Sequence, residues 1–270
     1  MTSLNGPGFS ITLLKTAPNM LPLLDAPTSA PGWSPKSPTS APDTISPPKE
    51  LSAAPEVPES TVKNGYILDT TAFKSVITAG CKALIAAEPT ITRYDTVAGD
   101  GDCGETLKNG AEAVIKFLDN ELTSDAVNTF AKLADLAEES MGGTSGALYS
   151  IFLHGATSWF RESGADASGK TAGKEEYVAA LQAALVALQK VTPARVGDRT
   201  MMDSLEPFVK ALGGGVQGAV EKARAGTEKT KSMTASLGRA VYVGGKEYQE
   251  VPDPGAEGVA VFVEGAVKAL

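Results

Sequence analysis

The fold is decided by residues 126–160, AVNTFAKLADLAEESMGGTSGALYSIFLHGATSWF. In the first half of this stretch, Val127, Phe130 and Leu133 recur at the three-residue spacing typical of one face of an amphipathic helix. A break of small residues at 141–146 follows, and helical spacing of apolar residues resumes beyond it. Helices joined by so short a break run antiparallel, so this stretch predicts part of a helical bundle.

The same spacing recurs from residue 65 to the C terminus and marks eight helices in all. The first is expected to end at Pro89, because proline removes a helical hydrogen bond and clashes with the preceding turn. The last is expected to begin at Asp253, a helix-capping residue that Pro254 follows at the first helical position. No stretch alternates as a paired strand would. The sequence therefore predicts an all-α fold, a single-domain bundle of eight antiparallel helices.

Composition excludes several classes of protein. With 32 acidic against 24 basic residues, the net charge is -8, and no basic face is present for nucleic-acid binding. The apolar stretches are shorter than the roughly 18–20 residues of a membrane span, and the first residues do not form a signal peptide. We therefore expect a cytoplasmic protein with no nucleic-acid or membrane partner. Two Cys and one His cannot build a disulfide framework or a structural zinc site, so any metal must be held by oxygen.

Proline divides the chain, because 12 of the 17 prolines lie in the first 60 residues. Residues 25–64 consist mainly of Pro, Ser, Thr and Ala and contain few large apolar side chains. Such a segment cannot bury enough surface to offset the entropy of ordering, so it is predicted to be an extended linker. Before it, residues 9–14 (FSITLL) form an isolated β-type run, the expected last strand of a domain that this chain does not contain.

A cluster of acidic residues follows the first helical segment, at residues 95–104 (DTVAGDGDCG). Asp95, Asp100 and Asp102 are placed in a loop, where their mutual repulsion favours a bound cation. Mg²⁺ is held in proteins by a few carboxylates together with nucleotide phosphates, and the glycines and the following helix start suit an anion. The segment predicts a metal and phosphate site. The plainer interpretation is an acidic turn that only caps a helix. An EF-hand is excluded, because Ala111 stands where the last ligand, a glutamate, belongs.

Three further polar turns precede helices. Residues 141–146 (MGGTSG) are either an ordinary helix boundary with a Ser/Thr cap or a second phosphate cradle, and residues 197–203 (GDRTMMD) and 253–255 (DPG) open two later helices. If the helices alternate in direction, the starts of the second, fourth, sixth and eighth lie at one end of the bundle, where their dipoles focus positive potential. Arg239 precedes the last helix and is a candidate phosphate ligand, although a solvated arginine is the more ordinary case.

Taken in order, the acidic segment and these three turns resemble the nucleotide-binding L domain of dihydroxyacetone kinases over residues 65–270. The resemblance implies a closed barrel of eight antiparallel helices that binds ATP or ADP at one end through two Mg²⁺ ions held by Asp95, Asp100 and Asp102. We hypothesise a catalytic role for Arg239, which would help to neutralise charge that faces the acceptor. The nucleotide contacts that the resemblance implies are Asp100, Gly101, Asp102, Cys103, Thr144, Ser145, Thr192, Thr200, Met201, Asp253, Pro254 and Gly255.

The same resemblance extends to the N terminus, where residues 5–15 look like the closing strand of the K domain that precedes the L domain in single-chain kinases. It divides the chain into a K-domain remnant (1–24), a linker (25–64) and an L domain (65–270). In that family the K domain binds dihydroxyacetone covalently through a histidine, and His154 lies in the L part. The chain is therefore expected to need a K domain, in trans or in the full-length chain, for activity. Kinases of the family usually dimerise, so a homodimer is one expected assembly.

Two alternatives stay open from the sequence. One is a subunit of the phosphotransferase type in the same family, which keeps ADP bound as a cofactor. The linker and the strand remnant count against it, because such subunits stand alone. The other is a non-catalytic nucleotide-binding regulatory module, since the acceptor half of the kinase is missing.

Overall fold

The computed structural model describes residues 15, 17–24, 26, 27, 65–242 and 247–270. The chain divides into two units, Met1–Pro58 and Glu59–Leu270. In the first unit, a 3₁₀ turn at Pro18–Met20 leads into a short helix at Leu21–Leu24. The predicted strand at 9–14 and nearly all of the predicted linker at 25–64 lie outside the described residues.

The second unit is helical, which confirms the predicted all-α fold. No strand occurs among its described residues, and their β-type pairing is limited to isolated bridges at Ile67. The eight predicted helices are present, and we number them α1 to α8. Their bounds are α1 Thr70–Ala98, α2 Cys103–Asn120, α3 Ala126–Ser140, α4 Gly143–Ser163, α5 Lys174–Val191, α6 Met202–Ala211, α7 Val216–Lys229 and α8 Pro254–Val267.

The helices form a closed barrel. Each helix packs against the next along the chain, and α8 packs against α1. At this closing contact, a Cβ on Gly80 would lie 2.7 Å from the ring of Phe262, and a Cβ on Gly265 would lie 2.5 Å from the Cβ of Ala83. A side chain at either glycine would push α8 away from α1, so the close approach requires glycine there.

The direction of the helices alternates around the barrel, as predicted. Residues 65–68 run across the starts of three odd-numbered helices: Leu68 N–H donates to the carbonyl of Ser124 just before α3, at 2.7 Å. The amide of Ile67 donates to the carbonyl of Lys170 before α5, at 3.0 Å. We call this end, with the starts of α1, α3 and α5, the far end. The even-numbered helices begin at the opposite end, which we call the acidic end.

The core has a packed part and an open part. Phe160 on α4 is fully buried, with Phe130 and Trp159 at ring-centroid distances of 5.0 and 5.2 Å. An aromatic ring so placed contributes about 1.5–3 kcal/mol through burial alone. Beside it, side chains from all eight helices line an apolar cavity of about 800 Å³. No helix among the described residues is both long enough and apolar enough to cross a bilayer.

The predicted end of the first helix at Pro89 is wrong. Helix α1 continues through the proline to Ala98, and Ile91, Asp95 and Ala98 in the continuation are all buried. An interior proline costs a helix roughly 3 kcal/mol, and burial of these later turns against the barrel offsets that cost. As a consequence Asp95, which the sequence placed in a loop, lies in the last turn of α1.

Candidate functional site

Three aspartates meet where α1 passes into α2. One carboxylate oxygen from each of Asp95, Asp100 and Asp102 lies within 4.8 Å of the others. Asp95 is 8% exposed, whereas Asp100 and Asp102 are exposed. The structure therefore brings together the three carboxylates that the sequence singled out as metal ligands.

The local backbone explains how the cluster is built. Helix α1 ends when Gly99 N–H bonds the carbonyl of Asp95 at 2.6 Å, and Gly101 adopts φ +82°, a conformation that favours glycine. The chain then turns back, so that Asp95 Oδ2 accepts hydrogen bonds from the amides of Asp102 (2.9 Å) and Cys103 (3.0 Å). The N-terminus of α2 thus holds the Asp95 carboxylate in position. The positive end of the helix dipole there favours the negative charge of this carboxylate.

The donor set fits a hard divalent cation. Three carboxylates at this separation repel one another, and a cation between them relieves that repulsion. All the donors are oxygen atoms, which suits Mg²⁺ or Ca²⁺, and the exposure of two of the aspartates leaves coordination positions for water or for phosphate oxygens. No Cys or His of the described residues joins this group.

Side chains from other helices reach the same place. Burial raises the pKa of the Cys103 thiol, and the negative charges of Asp95, Asp253, Asp102 and Asp100 raise it further. The thiol is therefore protonated and a poor nucleophile. Burial also raises the pKa of Tyr149 on α4, with smaller contributions from Cys103 and Asp253. The Cys103 thiol on α2 and the Tyr149 phenol on α4 therefore lie near acidic side chains of this site.

The turn before α6 is held by a buried carboxylate. Asp203 is fully buried, and its side chain accepts from the amide of Gly197 at 2.6 Å and from that of Thr200 at 2.8 Å. A Cβ on Gly226 of α7 would lie 1.8 Å from the carbonyl oxygen of Asp203, so glycine there lets α7 approach this turn. The candidate residues Thr200 and Met201 are fixed as a result.

Helix α8 starts beside this turn. The side chain of Asp253 accepts from the amide of Ala256 at 2.8 Å, which confirms the predicted N-cap, and its own amide donates to Thr230 Oγ1 at 2.8 Å. Burial raises the pKa of Asp253 to about 6; Asp203 and Asp95 act in the same direction, and the Ala256 amide and Arg199 oppose it. A Cβ on Gly255 would lie 3.3 Å from the Cβ of Met201, so the turns of α6 and α8 are in contact. Pro254, the first residue of α8, is buried.

The turn before α4 differs from the ordinary interpretation of its sequence. The N-cap is Gly142, which has no side chain to cap the helix. The helix begins at Gly143, which has φ +60°. Thr144 and Ser145 therefore stand in the first helical turn, exposed and half-buried respectively, instead of capping it. Their hydroxyls lie at the acidic end.

Two candidates stand at the edge of this region. Thr192 is the C-cap of α5, and its hydroxyl accepts from the amide of Ala194 at 3.2 Å. Arg239 begins a 3₁₀ turn that ends at Tyr242, and its side chain lies outside what the structure describes. The next residue, Ala240, is buried in a small cluster with Ala98 at the end of α1.

Sequence reasoning missed two residues here, Arg199 and Asp203. Both are buried to 1% exposure or less, although charged side chains at residues 197–203 (GDRTMMD) suggest an exposed loop. The glycine at 197 (φ +107°) was the available signal, since it indicates a turn tight enough to aim backbone amides inward.

Comparison with known proteins gives the following similarities. The model of a family described as the DAK2 domain matches residues 97–268. A dihydroxyacetone kinase of Komagataella pastoris is 41% identical over 284 residues, 99% of this chain and 46% of the relative, and the triokinase/FMN cyclase of Homo sapiens is 34% identical over 285 residues, 100% of this chain and 47% of the relative. The chain spans about half the length of these relatives.

Solved structures show the same architecture. The dihydroxyacetone kinase of C. freundii in its native form superposes with a TM-score of 0.62 at 23% identity, covering 94% of this chain and 43% of that chain. The same protein in complex with AMP-PNP and Mg²⁺ gives a TM-score of 0.61 at 23% identity, with 94% and 42% covered. The barrel of eight helices is therefore a fold found in an experimental structure.

Proposed function

Because the chain belongs to the DAK2 domain family, we propose that it is the ATP- and Mg²⁺-binding part of a dihydroxyacetone kinase, which transfers the γ-phosphate of ATP to dihydroxyacetone or glyceraldehyde. The observation that carries the proposal is the group of three carboxylates within 4.8 Å of one another at the acidic end. The names of the relatives and the AMP-PNP and Mg²⁺ complex of the C. freundii protein support it.

In this proposal Asp95, Asp100 and Asp102 hold two Mg²⁺ ions. Held by these carboxylates, Mg²⁺ would supply positive charge to offset the charge that develops during phosphoryl transfer. The backbone bonds to Asp95 orient its carboxylate before any ligand binds, which reduces the cost of organising the site. Positive helix-dipole ends at the starts of α2, α4, α6 and α8 favour the phosphates.

The remaining candidates receive the nucleotide. Gly101 and Cys103 lie at the start of α2, Thr144 and Ser145 offer hydroxyls from the start of α4, and Thr192 lies at the end of α5. The contacting turns of α6 and α8 supply the other side of the site. The residues assigned to the turns of α6 and α8 are Thr200, Met201, Asp253, Pro254 and Gly255. Arg239 neutralises charge on the side of the acceptor.

The acceptor site belongs to a K domain, which acts in trans or in a longer chain. We assign residues 1–24 to the end of such a domain, 25–64 to a linker and 65–270 to the L domain, and we place the protein in the cytoplasm. The chain covers 46% of the K. pastoris relative, which leaves room for a second domain there. Without a K domain, the chain is expected to bind ATP but not to phosphorylate a triose.

Calorimetry of ATP binding to the full chain tests the proposal. Binding is expected with Mg²⁺ present and is expected to be lost in EDTA. Asp100→Asn is expected to abolish the Mg²⁺-dependent binding while leaving helicity intact, because it removes one carboxylate of the cluster. Asp166→Asn, an exposed aspartate beyond the end of α4 at the far end, is the matched control and is expected to bind as the unchanged chain does. Equal Mg·ATP affinity of Asp100→Asn and the control would refute the metal assignment.

Mixing the chain with a separately produced K domain distinguishes the alternatives. Phosphorylation of dihydroxyacetone by the mixture at the expense of ATP dismisses a purely regulatory module. ADP that stays bound through gel filtration, without turnover of ATP, favours the phosphotransferase type.

A further inference from the structure

Arg199 is a charged residue in an unusual setting. It is 1% exposed, and its backbone has φ +61°, a left-handed conformation that non-glycine residues seldom adopt. It lies in the turn that delivers Thr200 and Met201 to the proposed nucleotide site. A buried guanidinium on a strained backbone persists only where its contacts hold it there.

The contacts of Arg199 cross to the segment that leads into α8. Its Nη2 donates to the carbonyl of Tyr248 at 2.5 Å and to that of Val251 at 3.0 Å. The guanidinium carbon lies 4.9 Å from the centroid of the Tyr248 ring, and Nη1 lies 4.0 Å from Asp253 Oδ2. One side chain therefore fixes the stretch that ends at the N-cap of α8.

Tyr248 continues this connection to the acidic cluster. It is 7% exposed and packs in a small apolar group with Ala98 and Ala240. Ala98 is the last residue of α1, three positions beyond Asp95, and Ala240 follows Arg239. Arg199 and Tyr248 thus link the turn before α6, the start of α8 and the end of α1.

We propose that Arg199 is a positioning residue for the nucleotide site, which acts through Tyr248 to hold the metal-binding end of α1 and the turns of α6 and α8 in one arrangement. This inference rests on the proposed function. Arg199 is not assigned a contact with ATP or with the metal; it orders the groups that make those contacts.

Stability alone is a poor explanation for this arginine. Its Nε and Nη1 find no hydrogen-bond partner among the described residues, and a buried donor left unpaired is costly. Arg199→Met removes these unpaired donors, but it also removes the donor to two carbonyls and the partner of Asp253, which lowers stability. The folding of Arg199→Met is therefore checked first, so that its effect on binding is measured separately from its effect on stability.

The test is the affinity of the full chain for Mg·ATP, measured by calorimetry on variants whose folding is first checked by circular dichroism and thermal unfolding. Arg199→Met and Tyr248→Leu are each expected to weaken binding by about 10- to 100-fold, the usual loss when a residue that orients ligands is removed. The double variant is expected to lose no more affinity for Mg·ATP than the weaker-binding single variant does, because Arg199 and Tyr248 act along one connection. Arg199→Lys, which keeps the charge, is expected to recover part of the loss.

Arg224→Met is the matched control. Arg224 is a partly buried arginine that pairs with Glu257 at 2.7 Å and with Glu264 at 2.6 Å, between α7 and α8. Its removal is expected to lower stability but to leave Mg·ATP affinity within about twofold of the unchanged chain, since it is not part of the connection through Tyr248.

The outcomes are separable. A folded Arg199→Met that binds Mg·ATP within about twofold of the unchanged chain overturns the positioning role, and so do losses that simply add in the double variant. If Arg199→Met does not fold, Tyr248→Leu carries the test alone: Mg·ATP affinity within about twofold of the unchanged chain overturns the positioning role. If the unchanged chain itself fails to bind Mg·ATP, the proposed function fails instead, which no variant is needed to detect.

Discussion

Asp95 combines a structural contact with its proposed role as a ligand. Its carboxylate accepts two amide hydrogen bonds from the start of α2. Asp95→Ala leaves those amides without their acceptor, so we expect the free energy of unfolding, measured with urea in EDTA, to fall by about 1–3 kcal/mol. Asp166→Ala, at an exposed position of the far end, is expected to leave the free energy of unfolding within about 0.5 kcal/mol of the unchanged chain. Equal losses in the two variants would contradict this interpretation.

Asp253 gives a pH dependence whose sign follows from its pKa. Burial raises that pKa to about 6 in the folded chain, against an ordinary value of about 4. The folded state therefore binds the extra proton between these values, and the contribution of this residue to stability falls as the pH rises from about 4 to about 6 and stays lost above.

Asp253→Asn is expected to abolish the loss of stability between about pH 4 and about pH 6, because asparagine does not ionise. The helix cap is kept, because asparagine caps as well as aspartate. In metal-free buffer at pH 7, we expect the variant to be more stable than the unchanged chain by about 1–3 kcal/mol, the size of the shift in pKa. Urea unfolding at pH 5 and pH 7 measures the difference. If the difference in unfolding free energy between the variant and the unchanged chain does not grow from pH 5 to pH 7, the result contradicts the raised pKa.

At the scale of single residues, sequence reasoning found what local composition reveals. Three aspartates and three glycines in ten residues are visible without a fold, and so is the Asp253 cap. The role of Arg199 is not, because its hydrogen-bond partners Tyr248 and Val251 lie about fifty positions away along the chain. Nothing in a Gly-Asp-Arg-Thr turn says that its arginine is buried.

Among the helices, α7 and α8 are joined by the paired arginine described above. The hydrogen bonds that Arg224 donates to Glu264 and Glu257 raise the pKa of Arg224, so the group stays charged. Arg224→Met leaves two partly buried carboxylates without their partner, and we expect a loss of about 1–3 kcal/mol of unfolding free energy, between the values for exposed and buried pairs. Adding Glu264→Gln to this variant is expected to restore part of the loss; no recovery would mean that the pair contributes little.

The number and order of the helices were predictable from apolar spacing, and the end of α1 was not. Proline is a local signal that stops a helix, but here it competes with burial of Ile91, Asp95 and Ala98 in the following turns. Gly104 permits this packing, because a Cβ there would lie 2.5 Å from the carbonyl oxygen of Glu88. Tertiary contacts of this kind override propensity and leave no mark at the proline itself.

For the whole molecule, the proposed function predicts a linkage between ligand and stability. Mg·ATP at about 100 times its dissociation constant is expected to stabilise the folded chain by about 2.7 kcal/mol, seen as a higher Tm. ATP in EDTA is expected to give almost none of this stabilisation, because the three carboxylates then repel the phosphates. A Tm that rises equally with and without Mg²⁺ would show that ATP binds away from the aspartates.

The convergence of the polar turns could be deduced before the structure, because alternation of eight helices places all even-numbered starts at one end. The closing of the ring could not, since it depends on the close approach of α8 to α1 at Gly80 and Gly265. Single glycines within helical patterns do not identify the helix that they contact.

That closing contact also decides how the chain can be rearranged. Because α8 runs antiparallel to α1, the C terminus of the barrel and residue 65 both lie at the far end, as does the exposed connection after α2 at Glu121. A circularly permuted chain that joins residue 270 to residue 65 by a short spacer, and starts anew at residue 122, would leave every candidate ligand-binding turn uncut. The order in which the helices are synthesised is thus separable from the chemistry at the opposite end.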